Sequence, residues 1–529
     1  MNKHLQAFEK NKKELYISLA ATFLWGLLAH GYCFLHSNFS HDSLNEFNSA
    51  IFGDAWKIRL GRYFIPVYRS LFHPELTYPW LIGVLSLLWC GLAVYLVTRI
   101  FRIENKGLIV LTAGIFTVNL TFSATAATFI HDLDCDMLAL LFSVAAVYCW
   151  KAHPWGWLAG AVLVMLSLAI YQSYITVTIV LIMFVCILEL LDGISFREVF
   201  CKGLKAIGML LLGGIAYYIT MKAAMRITNI SMLTGKYNTV DKPLEMLSWS
   251  GWLFQYMIKA TYLTWYDKLV HVISPYPALS ALSSKALLAF ICGCFFLGLL
   301  RRKVRILEKL LCAVLILLLP FAMNLMYFLT IEQSHELMRF ALWLTYLLAL
   351  LLGRWLAGYL AQWKCRFVPV KMEKIAHLPL MAAALLVTVL IYGGVQTANA
   401  MYLKKDLEHD AYLSLMTRIV YRIEAVDEYI PGETPLVMVG LPEQIEEVAP
   451  GFETYRDPNG MYYSDVLLYS VRERWQRYFD FVLMNPAVFA KETVWNNLLQ
   501  DPQVAAMPAY PEPGCIAMMD DVLVVKLGQ

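Results

Sequence analysis

The sequence predicts a polytopic α-helical membrane protein with about eleven transmembrane helices, followed by a small α/β domain. Three observations carry that prediction. Of the 529 residues, 59% are hydrophobic and 16% charged, against about 25% charged in soluble domains, so the chain lacks a charged skin for its size. Apolar runs of about twenty residues, the length that crosses a bilayer, recur along the first three quarters of the chain. Beyond residue 400 the text turns polar and mixed, over a stretch too long for a tail. The same figures exclude a disordered chain and a disulfide-stapled secreted scaffold. A net charge of +3 gives no argument for nucleic acid. The eleven cysteines stand singly, mostly inside apolar runs, and read as small core hydrophobes without metal-ligand spacing.

The basic opening MNKHLQAFEKNKKE precedes the run Leu15 to Leu35. That run reads as a retained first helix entering from the cytoplasm rather than a cleaved signal. Further spans fall near 78–100, 107–129, 137–150, 156–172, 174–191, 205–223, 284–300, 307–330, 337–359 and 377–398. Lysine and arginine in short loops set the orientation. Every second connection is basic, from Lys10, Lys12 and Lys13 through Arg99, Lys151, Arg197 and Arg301 to Lys371. The alternation predicts a cytoplasmic N-terminus and, with an odd number of spans, a C-terminus outside a bacterial cytoplasmic membrane. The chain divides into a transmembrane domain, 1–399, with outer loops at 37–77 and 224–283, and an extracytoplasmic α/β domain, 400–529. In the latter, Leu403, Leu407, Ala411, Leu415 and Ile419 suggest an amphipathic helix. Thr434 to Val439 reads as a strand and Asp465 to Val482 as a helix. Cys515 to Met519 and Val522 to Leu527 read as a hairpin around Asp520-Asp521.

The predicted sidedness gathers the polar residues of interest on the outer side. No ATP or nucleotide sugar is present there, so a transferase needs a pre-activated donor such as a sugar on a lipid phosphate. It then needs a carboxylate to take the acceptor's proton and cations to hold the departing phosphate. FSHDSLNE supplies His41, Asp42 and Glu46; Asp42 and Glu46 share a helix face, and equally suit a plain helix start. LGRYFIPVYRSLF supplies Arg62 and Arg69 on one face of an interfacial helix, where snorkelling is the bland alternative. HDLDCD supplies Asp132, Asp134 and Asp136, with Asp132 and Asp136 on one face. These acids suit a divalent cation, Mg or Mn, or merely a helix dipole. Gln172 and Tyr174 lie in a break between spans, Tyr237 in the long outer loop, and His335 and Arg339 form an i,i+4 pair near the tenth span.

Several landmarks in order, FSHDSLNE, LGRYF, YQSYI, ANAMY and the closing MPAYPEPGCIAMMDDVLVVKLG, give the chain a resemblance to a known family. It resembles the bacterial serotype-converting, O-antigen-modifying glucosyltransferases of the "glucosyl transferase II" kind, polytopic members of the GT-C superfamily. Many relatives carry two adjacent acids after the first span, where this chain has His41-Asp42; Asp42 is the single match. The resemblance implies a GT-C-like fold and transfer of glucose from undecaprenyl-phosphate-glucose to a cell-surface polysaccharide. On that reading Asp42 is the base of an inverting reaction, with Glu46 in support. Arg62, Arg69 and Arg339 hold the donor phosphate. His41, Asp132, Asp136, Gln172, Tyr174, Tyr237 and His335 meet substrate. A lipid-linked glycan flippase is a second reading, weakened by nearly charge-free span centres and the lack of a repeat. A surface-polymer acyltransferase built on His131 or His335 is a third.

Overall fold

The computed structural model describes residues 2–36, 40–47, 49–233, 250–301, 304–330, 334–362, 375–441 and 471–528. The chain begins with α1 (Asn2–Leu35), then three short helices, α2 (His41–Asn45), α3 (Ser49–Arg59) and α4 (Phe64–Phe72). A run of helices follows: α5 (Pro79–Phe101), α6 (Lys106–Thr117), α7 (Leu120–Thr128), α8 (Leu133–Ala152), α9 (Gly156–Ile170), α10 (Ile175–Leu191) and α11 (Phe196–Thr228). The bundle closes with α12 (Gly251–Val270), α13 (Pro277–Leu300), α14 (Ile306–Met323), α15 (Leu325–Leu329), α16 (Phe340–Ala361) and α17 (Leu378–Glu424).

Among the described residues nine helices are long and apolar enough to cross a membrane, or ten if α6 and α7, bent by 43°, form one span. The chain is thus a polytopic helical membrane protein. Each sequence-predicted span falls on helix, with 107–129 divided between α6 and α7 and 307–330 between α14 and α15. The difference from eleven is α9, which at 15 residues is shorter than the bilayer crossing requires. Helices α10 and α16 are the most buried and form the centre of the bundle, while α11, α14 and the first part of α17 keep large apolar side chains on the surface. The break between α6 and α7 is capped by Asn119, whose side chain accepts from the Phe122 amide at 2.9 Å and donates to the Ile115 and Phe116 carbonyls.

At one end of the bundle three cations close helix C-termini. Lys151 donates to the Ile100 carbonyl, Arg301 to that of Leu191, and Arg354 to those of Phe101 and Arg102. Lys202 pairs with Glu189 and Glu198 at the same end. The opposite end gathers α2, α3, α4 and the 3₁₀ turns Ile130–Asp132 and Gln172–Tyr174.

Helix α17 is continuous over 47 residues and crosses position 399/400 without a break. Its polar half buries the expected stripe only in part, at Leu415 and Ile419. Leu403 and Leu407 are exposed, whereas Tyr402, Lys405, Tyr412, Leu415, Met416, Ile419 and Ile423 face inward. A four-residue step overshoots a full turn by about 40°, so leucines spaced by four wind around the helix.

Beyond α17 a four-stranded sheet, order β2-β1-β4-β3, is built from β1 (Pro435–Val439), β2 (Val488–Phe489), β3 (Ile516–Met519) and β4 (Val522–Lys526). β1 runs parallel to both β2 and β4, and β3–β4 is an antiparallel hairpin with Asp520 at φ 50° in its turn. Helices α18 (Arg472–Tyr478), α19 (Glu492–Leu499) and α20 (Pro502–Ala506) accompany it. Residues 465–470 of the predicted helix lie outside the described residues. The core under the sheet joins Leu436, Val437, Val524, Trp475 and Met416, and it takes in Leu44 from α2.

Candidate active site

The first loop is held from three sides. Ser40 caps α2: its side chain accepts from the Ser43 amide at 3.2 Å. The Ser40 and Ser43 hydroxyls both donate to the Thr128 carbonyl, at 2.5 and 2.8 Å, so α2 hangs from the C-terminal end of α7. On the other side Leu44 enters the core of the post-membrane segment, and Phe47 packs on Phe481 with ring centroids 4.9 Å apart. Asp42 is the second residue of α2 and half-buried. The N-cap of α2 is therefore Ser40. The His41 side chain and Tyr237 lie outside the described residues.

Four charges close into a buried box beside α2. Glu46 pairs with Lys57 at 2.8 Å and with Arg69 at 2.9 Å, the latter too oblique for a hydrogen bond. Asp132 pairs with the same two cations, at 2.5 Å to Lys57 and 2.8 Å to Arg69. Arg69 also donates to the His131 carbonyl at 3.1 Å. Lys57, Arg69 and Asp132 are 3%, 2% and 3% exposed, so little water screens them. Burial alone would raise the Glu46 carboxyl, but Lys57 foremost, then His131 and Arg69, hold it below its ordinary value.

The acidic run does not converge on one point. Asp132 belongs to the box, while Asp134 turns away, as its position on the helix demands, and accepts from the Tyr68 hydroxyl and His73 Nε2, both at 3.0 Å. Trp89 in turn donates to the Tyr68 oxygen at 2.9 Å. Burial, then the Asp134 charge, push the Tyr68 phenol above its ordinary value and keep it a donor. Asp136 is buried one turn beyond Asp132. The expected Asp132–Asp134–Asp136 cation site is thus not what the fold assembles. The described residues whose ligand atoms approach one another are Glu46, His131 and Asp132.

Two sequence landmarks far apart in the chain meet at Arg62. Gly61 takes φ +78°, which reverses the chain between α3 and α4, and a Cβ there would lie 2.5 Å from the Tyr217 hydroxyl. Gln172 clamps this turn, donating to the Leu60 carbonyl at 3.1 Å and to the Tyr217 hydroxyl at 2.9 Å. The Arg62 guanidinium then lies over the Tyr171 ring, 4.2 Å from its centroid. Tyr174 stacks edge-on against Tyr171 at 5.9 Å. Arg62 Nε and the Tyr171 and Tyr174 hydroxyls are buried without a hydrogen-bond partner among the described residues.

The three arginines expected at a donor phosphate differ sharply. Arg69 is committed to two carboxylates in the box. Arg339 pairs with Glu336 at 2.5 Å and donates to the Ser334 carbonyl and hydroxyl at 3.0 and 2.7 Å; Lys268 reaches the same Glu336 oxygen at 3.0 Å. His335 precedes this cluster as the cap position of the turn Glu336–Met338, so Arg339 turns to Glu336 and Ser334. Arg62 alone of the three has no ion pair among the described residues. Lys57, His73, Tyr68 and Lys268 were not legible as site residues. The one sequence signal for Lys57 is Gly61, which folds α4 back beside α3.

No curated protein and no solved structure matches the chain. A family model, glucosyl transferase GtrII, matches residues 31–352. That match is more than half of the chain and includes α2, the box, the Arg62 turn and the Glu336 cluster. Such a match over the whole polar end of a multi-pass bundle is a family relationship: the chain belongs to the GtrII glucosyl transferase family.

Proposed function

We propose that this glucosyltransferase moves glucose from a polyprenyl-phosphate donor to a cell-surface glycan, on the extracytoplasmic side of the bacterial cytoplasmic membrane and with inversion. The Asp42 carboxylate takes the proton from the acceptor hydroxyl as its oxygen attacks the anomeric carbon. The bond from that carbon to the phosphate oxygen breaks on the opposite face. The polyprenyl phosphate leaves with its electron pair, and Arg62 meets the new charge. Glu46 does not share the proton on this reading; it holds Lys57 and Arg69 in place beside α2.

The observation that carries the proposal is the division of labour inside α2. Ser40 caps the helix and Glu46 closes the box, and Asp42 stands between them, half-buried, as the second residue of α2. The sidedness rests on the loop cations, which favour the cytoplasm. The Lys, Arg and helix-end contacts at the far pole of the bundle are consistent with that.

The test is transfer by purified protein in detergent, with a polyprenyl-phosphate glucose donor at saturation. Asp42→Asn keeps the shape and removes the base, and turnover should fall by about 10²–10⁴-fold. Near-normal turnover by a well-folded Asp42→Asn would end the assignment of the base. A purified wild type that transfers no glucose from any polyprenyl-phosphate donor, but does so from another, would end that of the donor.

A further inference from the structure

The Lys57 ammonium lies 2.8 Å from Glu46 Oε1 and 2.5 Å from Asp132 Oδ2, and His131 Nε2 faces those same two oxygens at 3.7 and 3.6 Å. The three ligand atoms all lie within 4.8 Å of one another. Ligands on a tetrahedral divalent ion, each about 2.1 Å from it, stand about 3.4 Å apart. The arrangement is therefore two carboxylates and one histidine of metal-ligating type, with an ammonium bridging the two carboxylates. Arg69 holds the remaining oxygen of each carboxylate. Two buried acids are thus balanced by two fixed cations, and a divalent ion added to them would leave a net charge with no water to screen it. The imidazole is not braced as a ligand either. A metal-bound histidine ordinarily donates its second nitrogen to an acceptor, whereas His131 Nδ1 is buried with no partner among the described residues.

We propose that Lys57 is the resident cation of this site. Its ammonium takes the place of a divalent ion in holding Glu46 and Asp132 together, and the site accepts a metal only when that ammonium is removed. Lys57 is a positioning residue: it fixes the carboxylate that ends α2, one turn beyond Asp42, and so the attitude of the helix that presents Asp42. The inference does not depend on the sugar or the donor, because its test is a binding measurement.

The experiment is a Mn(II) titration of the purified full chain followed by electron paramagnetic resonance, in which free and protein-bound manganese are distinguished. Wild type and Lys57→Arg should leave manganese free. Lys57→Ala should bind one Mn(II) per chain, and Glu46→Gln added to Lys57→Ala should abolish that binding. In the transfer assay Mn(II) should restore activity to Lys57→Ala and leave the wild type unchanged. A tightly bound Mn(II) in the wild type, lost in Glu46→Gln, overturns the proposal; so does a folded Lys57→Ala that binds no more metal than the wild type. The wild-type titration needs no substitution, so the test stands even where Lys57→Ala does not fold. A silent transfer assay with the expected binding pattern would count against the glucosyl donor and not against Lys57.

Discussion

Arg62 and Tyr171 face each other across the junction of two distant segments, guanidinium over ring at 4.2 Å. The stack fixes the plane of the one arginine of the loop pair that carries no carboxylate. A lysine offers a point charge without a plane, and loses about 1–2 kcal/mol of stacking and forked contact. Arg62→Lys should therefore raise the donor KM by about tenfold with a smaller change in kcat, measured by initial rates over donor concentration. Tyr171→Phe keeps the ring and should stay near wild type. An unchanged donor KM in Arg62→Lys would remove Arg62 from the phosphate.

Gly61 is the hinge that makes this stack possible. Gly61→Ala must accept a left-handed backbone, at about 1–2 kcal/mol, and its methyl meets the Tyr217 hydroxyl 2.5 Å away. The variant should melt several degrees lower by intrinsic fluorescence in detergent. Adding Tyr217→Phe removes the hydroxyl and should recover only the steric share. Full recovery would show that the backbone conformation costs nothing there.

The box gives a pH dependence with a definite sign. Because Glu46 has a folded-state pKa below its ordinary value of 4.5, its contribution to stability is complete above that value and is lost as the pH falls through the lowered one. Glu46→Gln leaves two buried cations to one carboxylate and should cost about 3–5 kcal/mol at neutral pH. The difference in Tm between wild type and Glu46→Gln should therefore shrink as the pH drops below 4.5. A difference that holds constant down to strongly acid pH would contradict the ion pairing.

Leu44 tests the tie between the post-membrane core and α2. Its side chain is 1% exposed, and truncation to alanine should cost about 2–5 kcal/mol if the cavity stays open. Because α2 presents Asp42, Leu44→Ala should lower kcat with little change in donor KM. Equal losses in a distant core variant such as Val524→Ala would reduce this to general destabilisation.

The helical content and the positions of the spans were legible because hydropathy and length decide them. The parting of Asp132 from Asp134 was legible too, since a two-residue step on a helix turns the side chain by roughly 200°. The charge box was not. Lys57 and Arg69 sit on separate short helices, and they meet Glu46 and Asp132 only because Gly61 reverses the chain between them. Nor does a sequence reveal that an arginine is already neutralised: Arg69 and Arg339 looked like Arg62 until their carboxylates came into place. Of the two cap candidates at the start of α2, Ser40 occupies the N-cap position. The four-residue stripe of α17 holds at Leu415 and Ile419 and fails at Leu403 and Leu407 for a geometric reason, the drift of about 40° per step.

The uninterrupted α17 makes the molecule a closed mechanical loop. At 47 residues it is about 70 Å long, more than twice the hydrocarbon thickness of about 30 Å. Near its middle Tyr402, Asn399 and Lys405 fasten it to His30, Leu28 and Ala127. Its far end carries the core that holds Leu44, and α2 returns from that core to Thr128 at the end of α7. The phase of one helix therefore sets the angle at which the core meets the loop. One residue inserted after Lys405 would rotate everything beyond it by about 100° and advance it by about 1.5 Å. The chain then has to give up either the seat of Leu44 or the bonds from Ser40 and Ser43.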